Sequence, residues 1–444
     1  MIELPAKKMD QLRALLSALP DSMTVQLRVA AEHADPDLAA LLRACLGDDS
    51  QPDDTAAFEA FFKPLQPVSQ EGDDVPPSRC YTPVSVQKRV WDWMLEDQAD
   101  GLLDDVSAII ERPNYLDQDL DQLRHGFSEK IKAELGKAAE DPRYEKRLRS
   151  NLLMRDFRNL EVMASLLRCA PILRRALKDV PLALDDIPED LSIVIRDQYD
   201  WSIDQDPEAG VWVLAMIMAR LVKPWRLFRV FERITKREDD LLASQTDMSH
   251  IGDALLADAE YYLSGFASVP TDMESSLRAI EALEAFSAIS VGMTREIGIR
   301  KDGAWGKRLF ALRDKASQNM TRIHYQARTC IEATLPEAVM ARKRRASERP
   351  EYARAEALAV FLGRTKNDAG RAAVGSVHNS LISDLAEMCD SAGEAILSDL
   401  RNNGSKDPEA SETRVRQIAA VLDGLGYPED AAILVRRTVA ALAA

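Results

Sequence analysis

The sequence lacks most of the residue patterns that mark specialised chemistry. Its 444 residues include five cysteines, Cys45, Cys80, Cys169, Cys330 and Cys389. Their odd number, scattered spacing and lack of any C-x-x-C exclude a disulfide framework and a cysteine-built zinc site, so they are expected to be reduced and mostly buried thiols. Long apolar runs are missing too. The longest, residues 211–218 within "VWVLAMIMARLV", is closed off by Arg220 and falls far short of the roughly 20 residues that span a bilayer. The opening "MIELPAKKMDQLRALLSALPDS" has neither the continuous apolar segment nor the small-residue cleavage site of a secretory signal. The expected compartment is the cytoplasm, and an excess of arginine over lysine with abundant alanine suits a GC-rich bacterial source.

Catalytic signatures are equally scarce. The chain contains no H-E-x-x-H, no G-x-S-x-G and no phosphate-binding G-x-x-x-x-G-K-[ST]; "KDGAWGKR" at 301–308 reads as a turn between helices. A di-iron bundle needs Glu-x-x-His on two helices, and none of His33, His125, His250, His324 or His378 has a glutamate three residues earlier. No cofactor is expected. Alternation of β-branched residues, the mark of strands, hardly occurs.

What is present is amphipathic helix. Apolar residues recur at intervals of three and four almost throughout, which predicts an all-α protein: a large multi-helix bundle or irregular helical-repeat body with long antiparallel helices and a small N-terminal helical hairpin. Residues 1–47 read as that hairpin, hinged at "LPDS". Residues 48–83, rich in Asp, Pro and Ser, read as a linker around a short aromatic helix with Phe58, Phe61 and Phe62, whose rings are expected to dock on the following domain. Residues 84–270 read as a helical domain around a buried helix near 209–220. Residues 271–444 read as long helices at about 272–297, 305–333 and 371–403, then a pair at about 409–424 and 428–443 joined by "GLGYPED". The stripe Val374, Val377, Leu381, Leu385, Met388, Ala392, Ile396 and Leu400 sets the expected buried face of the third long helix.

Charge is uneven. The net charge is -16, yet residues 1–120 carry 23 acids against 10 bases while the rest of the chain carries 50 against 47. An acidic chain is a poor partner for nucleic acid, which needs a positive footprint. Basic faces survive locally. In "LVKPWRLFRVFERITKREDD" the residues Lys223, Arg226, Arg229, Arg233, Lys236 and Arg237 form one helical stripe, with Trp225, Leu227, Phe228, Val230, Phe231 and Ile234 on the other side. This is the pattern of a surface for an acidic partner or an anionic membrane, or of an ordinary core helix with a solvated back. A second basic cluster, Arg342, Lys343, Arg344 and Arg345, reads as an exposed loop.

One helix segment resembles a metal-binding motif. Asn379, Ser383 and Glu387 stand four apart, like the magnesium-holding triad on a helix of terpene synthases, and Asp185 and Asp186 in "DDIPED" would be the acidic partner motif. The resemblance implies an all-α enzyme acting on an isoprenoid diphosphate with magnesium. Against it, such pockets are rich in aromatics, which make up 6% of this chain, and the acids also suit an ordinary helix start. The sequence therefore predicts a non-enzymatic adaptor or scaffold that binds protein partners through charged amphipathic helix faces. A peripheral membrane protein using 223–237 and the magnesium enzyme are the alternatives. The partner's identity and the oligomeric state are not written in the sequence.

Overall fold

The three- and four-residue recurrence becomes helix almost everywhere in the computed structural model, which describes residues 54–70, 75–98, 101–230, 249–297, 299–335, 351–402 and 407–443. Extended pairing among the described residues is confined to the bridges Ser69–Cys80 and Leu184–Leu221. The fold is all-α. The expected hairpin at 1–47 lies outside the described residues. No helix among them is long and apolar enough to cross a membrane.

The described chain divides into two compact units, and the division at 157/158 falls inside the segment read as one helical domain. The smaller unit comprises 54–64 and 86–157. It holds α1 (Asp54–Phe62), most of α2 (Val84–Trp93) with a π turn after it, α3 (Leu102–Ile110), α4 (Asp121–Glu140) and α5 (Pro142–Asn151). Phe58, Phe61 and Phe62 are core residues: Phe61 lies 5.1 Å, ring to ring, from both Trp91 and Phe127. The aromatic part of the expected linker is thus an anchor of this unit. Arg124, fully buried, donates from Nε to Phe61 O (2.9 Å) and from Nη2 to Ala60 O (2.8 Å), with Asp117 and Asp121 balancing its charge. A cation over the last carbonyls of α1 satisfies acceptors that no helical turn can reach.

The larger unit comprises 65–85 and 158–443. Its elements are α6 (Arg158–Ala176), α7 (Glu189–Gln205), α8 (Ala209–Arg220), a 3-10 turn at Pro224–Leu227, α9 (Ser249–Gly265), α10 (Met273–Glu296), α11 (Ala304–Thr334), α12 (Tyr352–Arg364), short α13 (Lys366–Arg371), α14 (Gly375–Arg401), α15 (Pro408–Gly424) and α16 (Pro428–Ala443). The central helix α8 is buried from Val213 to Met218 and packs on α6 and α7, as its apolar sequence requires. Gly426, at φ 93°, ends α15: Tyr427 N–H reaches back to Leu422 O (3.0 Å), closing the turn before Pro428 begins α16.

The buried face of α14 is rotated from the expected stripe. Val377 is 62% exposed, and its neighbour His378 points inward with no exposure. Ile382, Ala386, Cys389, Gly393 and Leu397 are buried beside Leu381, Leu385 and Ile396, so the face is broader than a seven-residue seam and its centre shifts by one residue.

Candidate functional site

The described part of the basic stripe forms no continuous helix face. After Lys223, which is exposed, Pro224–Leu227 makes a 3-10 turn, and helix resumes at 228. Leu227, Phe228 and Val230 are buried at 0–1% exposure. Trp225 lies against α10 at Gly292, where an added Cβ would stand 2.4 Å from the indole ring. One turn further along α10, Glu296 receives Arg226 and accepts from Arg229 Nε at 2.8 Å. Asp186, from the loop before α7, completes the cluster at 3.1 Å from Arg229 and 3.6 Å from Arg226. Glu296 is only 13% exposed, so its attraction for the two guanidiniums is weakly screened. Two cations meet two anions, and the charge that made the stripe conspicuous is consumed within the unit. Arg233, Lys236, Arg237 and the loop Arg342, Lys343, Arg344 and Arg345 lie outside the described residues.

The magnesium-like residues belong to separate neighbourhoods. Asn379, Ser383 and Glu387 are exposed on the outer side of α14, which packs on α11, α13, α15 and α16. Asp185 and Asp186 are exposed ahead of α7, whose first turn holds Glu189 and Asp190 in the ordinary dipole position, and Asp186 is engaged by Arg226 and Arg229. Among the described residues no group of three or more His, Cys, Asp or Glu is placed to hold a metal ion. Cys169 and Cys389 are buried, Cys80 and Cys330 half-buried, and all four are free thiols; burial pushes the Cys389 thiol up to about 12.

Sequence reading missed a pair of histidines. His324 of α11 and His378 of α14 meet inside the unit, Nε2 to Nδ1, at 2.8 Å, and His378 Nε2 lies 2.9 Å from Leu362 O of α12. A carbonyl only accepts, so His378 carries its proton on Nε2, and His324 must donate from its own Nε2. Burial lowers both pKa values, that of His324 to about 4 with the neighbouring imidazole adding to the effect. Two neutral rings and a carbonyl thus tie three helices together. No motif spacing could have signalled it, because the residues are brought together across 54 positions.

A second missed feature is the outer side of α16. This helix buries only Ala431, Leu434 and Thr438. Val439 and Leu442 are 52% and 37% exposed, and with Ala432 and Val435 they form a second apolar stripe at steps of three and four. Ala419, Ala420 and Val435 floor an open groove between α15 and α16, with Arg416, Arg436 and Asp423 on its rim. The signal was in the sequence: "PEDAAILVRRTVAALA" has apolar residues in two phases, one more than a helix on the edge of a core needs.

No family model matches the chain, and no curated protein and no solved structure matches it either. The class that fold and surface define is an all-α multi-helix protein, and its function has to be argued from its own geometry.

Proposed function

We propose that this chain is a non-enzymatic adaptor of the cytoplasm that binds a protein partner through a charged amphipathic helix face, and that this face is the α15/α16 groove. The observation that carries the reading is the second apolar stripe of α16, Ala432, Val435, Val439 and Leu442, beside a groove floored by alanines. Small side chains let a foreign helix approach closely, and its apolar anchors would remove the stripe from water. Arg436 at the rim favours a partner helix edged with acidic residues.

The stripe at 223–237 supports this role less well in its described half, because Arg226 and Arg229 are paired and the apolar residues between them face inward. For the same reason that half offers no apolar face to an anionic membrane, whose binding needs one. Charge reversal at Arg226 and Arg229 would set new acids against Glu296 and Asp186 and would test folding rather than binding.

The test is the double variant Val439→Glu/Leu442→Glu in the full chain. The expected result is an unchanged melting temperature together with loss of a stoichiometric partner that co-purifies with the wild type at moderate salt. A wild-type chain that purifies alone, or a complex indifferent to both substitutions, refutes the reading.

A further inference from the structure

The larger unit contains a crevice with a cavity volume of ≈ 320 Å³ between α6, α8 and the start of α9, at the small end of the range for small-molecule sites. Its walls include Tyr81, Trp212, Val162, Ala215 and Ile251. Tyr81 and Trp212 meet edge to face, centroids 5.7 Å apart and planes at 90°. This fixes both rings with little residual freedom.

The polar groups on the Trp212 side are accounted for. The indole Nε1 donates to Ser165 Oγ at 2.8 Å, Ser165 donates to Glu208, and Glu208 also accepts from Arg168 at 2.7 Å. Tyr81 differs. Its hydroxyl oxygen is buried and has no hydrogen-bond partner among the described residues. Asp258, the nearby buried carboxylate, is turned away from it and accepts Ser78 N–H at 2.8 Å. Burial first, and the Asp258 charge second, push the phenol pKa upward, so Tyr81 stays a protonated donor.

A buried donor left unmet costs stability, and a ligand acceptor that meets it recovers that cost. The mouth carries both signs, Arg158 and His250 against Glu161 and Glu208, so the crevice holds no net cationic charge to favour an anion. We propose that this crevice is a binding site for a small, neutral, largely apolar molecule, of one ring or similar bulk, that presents a carbonyl oxygen to the Tyr81 hydroxyl. The rings supply the contact area, and the single donor fixes the ligand's orientation. The site is independent of the α15/α16 groove, and its test reads neither partner nor complex.

Two probes of equal shape decide it: acetophenone, which has the carbonyl, and α-methylstyrene, which has a methylene in its place. Affinities are measured by titration against the full chain, its Tyr81→Phe variant, and Val211→Phe, which fills the crevice from α8. The expected result is an acetophenone affinity about tenfold weaker in Tyr81→Phe, an α-methylstyrene affinity unchanged there, and loss of both in Val211→Phe. Equal losses of the two probes in Tyr81→Phe, binding that survives Val211→Phe, or no binding of either probe to the wild type would each overturn the proposal.

Discussion

The His324–His378 pair and the Tyr81–Asp258 pair place polar groups in the same interior and treat them in opposite ways. Each imidazole nitrogen in the bond chain that ends at Leu362 O has a defined role, and the rings stay neutral. Around Tyr81 the carboxylate of Asp258 is satisfied by Ser78 while the phenol is not. Both arrangements cost desolvation, but only the first recovers it within the fold. A closed polar chain marks a place that holds helices together, and an open donor beside a crevice marks a place prepared for something else.

The largest expected effect comes from breaking the closed chain. His378→Ala leaves the His324 N–H and Leu362 O without their partner and opens a cavity, at a combined cost of about 3–5 kcal/mol, read from urea midpoints. The double replacement His324→Leu/His378→Leu removes both rings and should cost less than the sum of the single changes, giving a positive coupling in a double-mutant cycle. Additive losses would mean that the two rings do not act as a unit.

The next effect separates the two regions by pH. The histidines have folded pKa values below 6.5, so the unfolded chain binds more protons as pH falls from 6.5 toward about 4, and stability drops by about 1.4 kcal/mol per unit for each proton so linked. Asp258 runs the other way. Burial pushes its carboxyl up to about 6 from 3.8, so the folded chain holds the extra proton, and stability falls as pH rises through 3.8 to 6. The Asp258→Asn variant should therefore show a steeper acid loss than the wild type between pH 4 and 6, and His324→Leu/His378→Leu a shallower one. Parallel slopes in all three proteins would remove the contrast.

Smaller still is Tyr81→Phe, which deletes a donor that nothing in the described protein meets. Its expected sign is unusual: a gain of about 1 kcal/mol without ligand, seen as a raised melting temperature. A loss would place a partner on the hydroxyl. Least of all, Val439→Glu/Leu442→Glu should change stability by no more than about 0.5 kcal/mol, since both side chains are largely exposed in the unbound chain.

The features legible in the sequence are those carried by neighbours along it. The helices at 273–296, 304–334 and 375–401, the buried run in α8, and the Gly426–Pro428 stop and start all follow from side chains within one or two turns of each other. The docked phenylalanines followed from burial economy. The missed features all depend on residues far apart in sequence. Arg226 and Arg229 looked like a free cationic row because Glu296 lies some 70 positions away, and Val377 looked buried because nothing nearby announced that His378 would turn inward to meet His324.

The sequence by itself determined that this protein is helical, that its helices have one buried side, and where most of them start and stop, because hydrophobic periodicity, capping and turn residues act over a few residues. Only the tertiary structure decided which charges cancel, which polar side chains close into a chain and which one is left open. Those outcomes depend on distances of a few ångströms between segments that the chain order keeps apart, and hydrogen bonds and ion pairs fall away within that range.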